Sequence, residues 1–336
     1  MAFQTGSATS FADLLSQLST FMQANGWTED ERDNANGDFA FSKNSIYVSG
    51  RWEVGNEGVF SLHQATAFDG VSTLPGDHTG DSGNGYNTTT SHAASNLLLE
   101  RHVDLESDGP YPNYWFFENN ASPAYVHVVV EFTTDRFAHF GFGELVKVGD
   151  GWTGGEYCYG NRHTATTSTS TVSTWLLDGV FQSISGSDEN RAATLRMSGF
   201  ASQPAGSVWA NVWGRDVNAP PDSASNAKAN VSGGYRSSLL ATSLGLFNGS
   251  KSSGFVPGYP IGCTFVDGDI STGGRTAHYL GYMADVRGVN IRNFAPADIL
   301  NDGGDQWYVF PARLRDTTPA AGVTGFAGIM YRRVDA

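Results

Sequence analysis

The sequence predicts an all-β protein, mostly antiparallel, with one amphipathic helix near the N-terminus. Glycine and aromatic residues are abundant, few residues are charged, and short alternating apolar segments recur between turn residues. The 41 Gly, 21 Phe, 13 Tyr and 8 Trp favour short strands and tight turns, and a charged fraction of 16% is low for a helical protein. We expect one or two sandwiches or distorted barrels, with long loops at one end.

Residues 10–25 predict the helix because their apolar side chains recur at helical spacing. The stripe consists of Phe11, Leu14, Leu15, Leu18, Phe21 and Met22. Ser10 is a suitable N-cap, with Asp13 three residues later, and Asn25 and Gly26 form a stop signal. We expect this helix to pack on the first sheet rather than to bind a partner.

The densest core signal lies at residues 125–160 and begins with a predicted β-hairpin. Residues 125–132 alternate so that one face carries Val126, Val128, Val130 and Phe132. A polar break at residues 133–136 separates this strand from an aromatic strand at residues 137–148. Gly141 and Gly143 in the second strand indicate a bulge or the close approach of another backbone.

Other segments alternate in the same way between turn residues. Strands are predicted at residues 38–41, 45–48, 58–63, 114–117, 193–197, 207–213, 286–291, 306–311 and 325–331. Residues 257–260 contain two prolines and a glycine, which predict a break in the β-structure.

Three segments lack a strand or helix pattern. Residues 69–95 and 214–238 predict long surface loops, and the Thr/Ser-rich residues 163–174 are either an extended linker or an exposed edge strand. We place the candidate domain boundary in residues 163–174. The chain then divides into a β domain at residues 1–165, with the helix and the 69–95 loop, and a β-rich region at residues 166–336 that is separate from it or continuous with it.

Composition excludes several classes of function. The net charge of −14 argues against nucleic acid as a partner, and no stretch approaches 18 apolar residues, so we expect no membrane contact. No basic segment followed by an apolar one predicts a secretion signal at the N-terminus. Cys158 and Cys263 lie far apart without metal-binding spacing, which favours two buried free thiols over one disulfide.

Two histidines and one glutamate form a candidate metal site in the sequence. His127 and His139 lie on the two arms of the predicted hairpin, and Glu156 follows on the next strand, so a His/His/carboxylate site is one interpretation. The favoured interpretation is that both imidazoles pack among aromatic rings and bond to the backbone or to each other. We therefore predict no metal and no other cofactor.

Catalytic and ligand-binding motifs are also weak. Carboxylates that could serve hydrolysis occur in and after the long loop, at Asp69, Asp77, Asp81, Asp104, Glu106 and Asp108. Their density is that of an ordinary acidic loop, and the serine-hydrolase, phosphate-loop and zinc-protease motifs are absent from the sequence. Aromatic residues that could form a sugar platform, or else a core, are Trp152, Tyr157, Tyr159, Trp209 and Trp213. The carboxylates of Asp267 and Asp269 suit calcium or, as favoured, an exposed turn. We predict no catalytic residue and no enzymatic activity.

Several of these segments resemble a family of tailed-bacteriophage virion structural proteins. The resemblance is carried by His127 and by residues 1–6, 139–143, 152–157, 289–293, 303–311 and 325–327. Little of residues 70–113 or 165–255 takes part. The shared residues are structural glycines and aromatics, so the resemblance implies a virion context more strongly than a particular task.

The function expected from this resemblance is a non-enzymatic, repeated subunit of a tailed-phage particle, associated with the tail or neck. Its partners would be copies of itself and other virion proteins, and it would be made in the bacterial host cytoplasm. The alternatives are a capsid decoration protein, or a tail protein that binds or cleaves host glycans. We expect the loops at residues 69–95, 163–174 and 214–238 to supply most contacts between subunits of a symmetric oligomer.

Overall fold

The computed structural model describes residues 2–52, 59–70, 78–79, 101–104, 108–160, 193–199, 208–212, 258–267, 276–291, 294–302, 304–311 and 327–333. Within these ranges the chain is mostly β-structure with one helix, which confirms the predicted fold class. The helix α1 spans Phe11–Ala24. The strands are β1 (Ala2–Ala8), β2 (Thr28–Asp33), β3 (Asp38–Lys43), β4 (Ile46–Trp52), β5 (Val59–Ala65), β6 (Arg101–Asp104), β7 (Tyr111–Asn119), β8 (Tyr125–Thr133), β9 (Arg136–Lys147), β10 (Thr153–Gly160), β11 (Ala193–Ser198), β12 (Val208–Val212), β13 (Tyr259–Asp267), β14 (Thr276–Asn290), β15 (Asp298–Asp302), β16 (Asp305–Pro311) and β17 (Ala327–Arg333).

The strands form two antiparallel sheets. The larger has 12 strands in the order β1-β7-β8-β9-β14-β17-β16-β15, with β10, β11 and β12 continuing from β9, and β13 pairing with β14. The smaller sheet has the order β2-β3-β4-β5-β6. Pairing of β9 with β14, where Lys147 lies opposite Gly281, joins strands from both sides of the predicted boundary. The boundary itself falls outside the described residues and stays a prediction.

The helix forms as its sequence predicts. The Ser10 hydroxyl accepts a hydrogen bond from the Asp13 amide at 3.1 Å, and Gly26 ends the helix with a φ of +81°. All six residues of the apolar stripe are buried. The ring of Phe11 lies 4.7 Å from that of Phe60 in the smaller sheet, and Phe21 packs at 5.6 Å on Phe116 in the larger sheet. The helix therefore packs against both sheets.

The predicted hairpin is confirmed, and it occupies the middle of the larger sheet. Strands β8 and β9 pair antiparallel with Val128 opposite Phe140, around a two-residue turn in which Asp135 has a φ of +61°. Val126, Val128, Val130 and Phe132 are buried in the first core, which the helix, the smaller sheet and one face of the larger sheet share.

Gly141 marks a close backbone approach. A Cβ atom there would lie 2.5 Å from the Val126 carbonyl oxygen and 2.9 Å from the Tyr159 ring. The irregularity between β8 and β9 falls instead at residues 131–133. Close approach, rather than a bulge, is the reason for glycine at this position.

The opposite face of β8 is buried as well, which the alternating pattern alone does not predict. The larger sheet curls so that β16 and β17 come against β7 and β9. Ring centroids of Phe117 and Tyr331 lie 5.2 Å apart, and those of Trp115 and Phe310 lie 4.9 Å apart. We call the enclosed space the aromatic interior, and its residues are Trp115, Phe117, Tyr125, His127, Phe137, His139, Tyr157, Tyr159, Phe310 and Tyr331.

Some strands differ from the prediction. Strands β1, β2, β6, β13 and β15 were not predicted, and β2 and β15 carry charged residues that break any apolar alternation. Strand β14 begins ten residues before the predicted 286–291 segment. The break predicted at residues 257–260 was wrong for its second half, because β13 begins at Tyr259 and includes Pro260. That proline is exposed, and the pairing register shifts directly after it, so its missing amide is tolerated.

The predicted long segments lie mostly beyond the described residues. Residues 163–174 and 214–238 fall outside them completely. Of residues 69–95, the structure describes residues 69–70 and 78–79. There the Thr79 amide and hydroxyl donate to the Asp69 carboxylate, and the Asp69 amide donates to Nδ1 of His78 at 3.2 Å.

Candidate functional site

The aromatic interior brings together titratable side chains from distant parts of the chain. His127 on β8, His139 on β9, Tyr159 on β10 and Tyr331 on β17 are each fully buried. The period-two alternation of each strand turns these side chains toward the same enclosed space. This is the clearest candidate site among the described residues, because it combines burial with several hydrogen-bonding groups.

Hydrogen bonds join these four side chains in two histidine–tyrosine pairs. Nδ1 of His127 lies 2.7 Å from the Tyr159 hydroxyl, and Nδ1 of His139 lies 2.9 Å from the Tyr331 hydroxyl. Nε2 of His139 lies 2.9 Å from the carbonyl oxygen of Pro311.

Burial makes both histidines poor bases. It lowers the pKa of His127 to about 3, and the neighbouring Ala284 backbone opposes this shift in part. Burial also lowers the pKa of His139 to about 4, against the smaller effect of its bond to Pro311. Burial also raises the pKa of Tyr159 and Tyr331, so all four side chains are uncharged near neutral pH.

A second polar group borders the same interior. The Tyr125 hydroxyl donates to Oδ2 of Asp285 at 2.6 Å, and burial raises the pKa of Tyr125. Arg332 binds Asp285 at 3.2 Å and Asp305 at 2.7 Å. These bonds connect β8, β14, β16 and β17, so they hold the curled sheet together from its rim.

The structure does not bring Glu156 to the two histidines. Glu156 binds Arg196 with both carboxylate oxygens, one of them at 2.8 Å from Nε. Its side chain lies on the other face of β10 from Tyr157 and Tyr159. Both histidines pack among aromatic rings and bond to tyrosine hydroxyls or backbone. Within the described ranges, no group of three or more His, Cys, Asp or Glu side chains could hold a metal ion.

The carboxylates considered for hydrolysis are only partly described. Asp69 bonds to Thr79, and the Asp108 carbonyl accepts from the Phe11 amide at 3.0 Å. Asp104 lies in β6, and its side chain is outside the described set. Asp77, Asp81 and Glu106 also lie outside the described residues.

The aromatic residues weighed as a sugar platform are core residues where their side chains are described. Trp152, Tyr157 and Tyr159 are buried, and the Lys147 ammonium covers the Trp152 ring at 4.4 Å. Trp209 lies in β12 without a described side chain, and residue 213 lies outside the described ranges.

The cysteines and the candidate calcium turn are described only in part. Cys158 is fully buried. Cys263 and Asp267 belong to β13, but their side chains are not among those described, and Asp269 lies outside the described residues.

The smaller sheet carries a buried acid that the sequence did not single out. Burial, with the nearby charges of Asp38 and Asp33, raises the pKa of Glu31 to about 7, although Arg51 opposes the shift. Arg51 is itself bound to Asp38 through two hydrogen bonds. In the sequence, the acidic residues of β2 are the signal for this buried acid. The raised pKa of Glu31 follows from them only once the strands that pair with β2 are known.

We expect Glu31→Gln to stabilise the protein in alkaline solution. The folded pKa of Glu31 lies above its ordinary value of 4.5, so the cost of its charge builds up as the pH rises from 4.5 to about 7 and is complete above that pH. After allowance for solvent screening, the gain in unfolding free energy at about pH 8 is about 1 kcal/mol. Urea unfolding should show almost no gain at about pH 4, and a gain of equal size at that pH contradicts the assignment.

The helix α1 is too short to span a membrane, and no other helix occurs in the described ranges. No model of a known protein family matches the chain, and no curated protein matches it either.

Proposed function

We propose that the protein is a non-enzymatic structural subunit of a tailed-bacteriophage particle, associated with its tail or neck. The observation that supports this proposal is where the residues of the resemblance lie in the fold. Residues 127 and 139–143 belong to β8 and β9, residues 152–157 lead into β10, and residues 303–311 contain β16. These strands surround the aromatic interior. The shared motif thus encodes an enclosed core, which suits a protein whose task is to hold a shape.

Charge and loop length support a role as a repeated subunit. A net charge of −14 makes separate copies repel one another, so an assembly needs extensive contacts to overcome this repulsion. Segments without a strand or helix pattern are suited to make them, because they can order against a neighbour. We therefore propose residues 69–95, 163–174 and 214–238 as the contact segments.

The location can be tested on purified particles of the virus that encodes the chain. Mass spectrometry should recover the protein at a fixed number of copies per particle. Cryo-electron microscopy, with an antibody fragment against the purified protein as a marker, should place these copies in a symmetric ring at the tail or neck. Recovery from infected cells but not from purified particles contradicts the proposal.

The contact segments can be tested by hydrogen exchange on the free chain and on assembled particles. We expect assembly to protect the three contact segments, because a neighbouring subunit would supply partners for their amides. The 125–160 region should change little, since its strands are already paired and buried. Protection gained mainly in that region, with the contact segments unchanged, contradicts the assignment.

A biochemical test addresses chemistry directly. Elemental analysis of the purified protein should find no stoichiometric transition metal, and incubation with host surface glycans should release no product. One zinc or nickel ion per chain that disappears in the His127→Ala variant contradicts a purely structural role for that histidine. Stoichiometric loss of a bound metal is a suitable measure because ligand removal acts directly on affinity.

A further inference from the structure

The larger sheet folds over itself, so its two ends lie as facing layers. On β17 the Tyr331 ring lies 5.2 Å from Phe117 of β7, and on β16 the Tyr308 ring lies 5.0 Å from Phe3 of β1. Strand β1 ends its layer, but the facing layer continues by one more strand, β15, which pairs with β16. One layer is therefore one strand shorter than the other at this side of the molecule.

The side chain of Ile299 marks the place of the missing strand. Ile299 lies opposite Tyr308 in the pairing of β15 with β16, and opposite residues of an antiparallel pair share a face. Its side chain is thus on the face of β15 that is turned toward the layer of β1. It is 44% exposed, and it is one of three exposed large hydrophobic side chains among the described residues. We call the space beside β1 and beneath β15 the open slot.

The backbone of β1 is available to pair with one more strand. Within the described ranges β1 pairs with β7 alone, and its other edge makes no hydrogen bond to another backbone. The Ser7 carbonyl on β1 accepts from the side-chain amide of Gln17 at 3.0 Å. The five residues Ala2–Gly6 keep one regular register with β7, and the irregularity follows Gly6. Unpaired N–H and C=O groups along such an edge form a template for another strand.

Charge distinguishes β1 from most other strands that end a sheet. Charged residues occur within β2, β6 and β15, and β13 contains a proline and ends with an aspartate. Such residues protect an edge against pairing with another chain. Strand β1 contains no charged residue and no proline. Strand β12 is uncharged too, but it has five residues against the seven of β1, and its side chains lie outside the described set.

The walls of the open slot suit an uncharged strand. Phe3 of β1 is half-buried, and β15 turns Asn301 inward, whereas Asp298 and Asp302 alternate onto the opposite face of β15. The guanidinium of Arg333 covers the Phe3 ring at 4.9 Å, so it lies at the inner end of the slot. Apolar and neutral polar groups therefore form the part of the wall that a strand would contact.

Strand β1 is already held in the extended conformation that a partner strand needs. The Gln4 side-chain amide donates to the Tyr114 hydroxyl at 2.9 Å, and the Thr5 hydroxyl donates to the Tyr114 carbonyl at 2.8 Å. Phe3 is stacked on Tyr308 at the same time. Because β1 is ordered beforehand, an added strand loses only its own conformational freedom on binding.

We propose that the open slot accepts residues 163–174 of a neighbouring copy as an added strand, paired with β1 and covered by β15. The inference rests on the proposed function, since these residues are one of its contact segments, and it names the surface that receives them. Of the three contact segments, this one alone has no Asp, Glu, Lys or Arg. It contains six Thr and one Val but no Gly or Pro, and β-branched residues favour strands.

The length of the chain favours a neighbouring copy as the donor. Strand β10 ends at Gly160 and lies four strands from β1 in the sheet order, about 19 Å across the sheet. The three residues from Gly160 to His163 span at most about 10 Å. The beginning of the segment therefore does not reach the slot of its own chain, whereas the segment of a neighbouring copy has no such limit.

The first test uses a fluorescent synthetic peptide with the sequence of residues 163–174 and the purified chain. Fluorescence anisotropy should show saturable binding below about 1 mM, and hydrogen exchange should show protection gained in β1. A control peptide with proline in place of Ser168 and Thr169 should not bind. Amides of consecutive strand residues point to opposite edges, so one proline faces β1 in any register. No saturable binding of the first peptide, equal binding of both peptides, or protection gained in β2 or β6 instead of β1 overturns the proposal.

The second test places a charge in the slot. Ile299→Asp should weaken peptide binding at least about tenfold, because the added strand would bury the new carboxylate. Val148→Asp is the matched control, since Val148 is 43% exposed, lies just after β9 and receives the same charge. It should leave the affinity unchanged within about twofold. An unchanged affinity in a folded Ile299→Asp overturns the proposal, and if that variant does not fold, the protection of β1 in the unaltered chain decides.

Failure of the slot and failure of the phage role are distinguishable. Peptide binding to β1 of the purified chain, with no copies of the protein in purified particles, supports the slot and contradicts the phage role. In particles that contain the protein, hydrogen exchange that protects residues 163–174 but not β1 overturns the slot and leaves the structural role in place.

Discussion

Val128→Asp is expected to destabilise the protein by about 4 kcal/mol or more, enough to abolish a marginally stable fold. Val128 is fully buried in the middle of β8, opposite Phe140. An aspartate at this position either buries an unpaired charge or stays protonated, and both states cost free energy. The surrounding side chains and backbone are already packed, so they leave no room for solvent around the carboxyl group. Urea unfolding, or soluble yield where the variant does not fold, measures the effect.

Two substitutions on the same strand serve as controls for Val128→Asp. Thr133→Asp places the same carboxylate at the exposed end of β8 and should change the unfolding free energy by less than about 0.5 kcal/mol. Val128→Thr keeps the shape and adds one hydroxyl, so it should cost an intermediate amount of about 1–3 kcal/mol. A soluble Val128→Asp protein with the unfolding midpoint of the unaltered chain contradicts the pairing and burial described for the hairpin.

Gly141→Ala is expected to cost about 1–3 kcal/mol although it adds a single methyl group. That methyl would lie 2.5 Å from the Val126 carbonyl oxygen and 2.9 Å from the Tyr159 ring. Backbone cannot move far in a paired strand, so the ring of Tyr159 must shift. Its hydroxyl would then leave His127, and the loss of that hydrogen bond adds to the strain.

The same substitution at Gly151 is a matched control for Gly141→Ala. Gly151 is exposed and has nothing within 4 Å of an added Cβ. Its replacement should leave the unfolding midpoint nearly unchanged, or raise it slightly through the less flexible unfolded chain. Equal effects at the two positions contradict a steric role for Gly141.

The sequence predicts the helix and the central hairpin because both depend on local pattern. The stripe from Phe11 to Met22 needs only a helical period, and the alternation in β8 needs only a strand. The sequence pattern does not predict strands β2 and β15, because edge strands carry charged residues that interrupt the apolar alternation. These two strands form by pairing with β3 and β16, and the local sequence of β2 or β15 does not reveal that pairing.

In the candidate site, too, local pattern predicts some features and misses those that depend on distant parts of the chain. His127 and His139 attract attention in the sequence as histidines within apolar strands, and packing among aromatic rings was the favoured interpretation. Their partners could not be predicted, because Tyr331 lies 192 residues beyond His139 and Pro311 lies 172 residues beyond it. Sequence pattern tells which side chains share a face of one strand, but the curl of the larger sheet decides what covers that face.

The long separation between β9 and its covering strands also has a consequence for synthesis. At about 5–20 residues per second, a ribosome needs about 10–40 s to pass from His139 to Tyr331. During that time β7, β8 and β9 can pair, because the turns between them are short. Their inner face, with Trp115, Phe117 and Val129, stays uncovered until the last strands emerge. A face that is fully buried in the native protein is therefore exposed to chaperones while the rest of the chain is made.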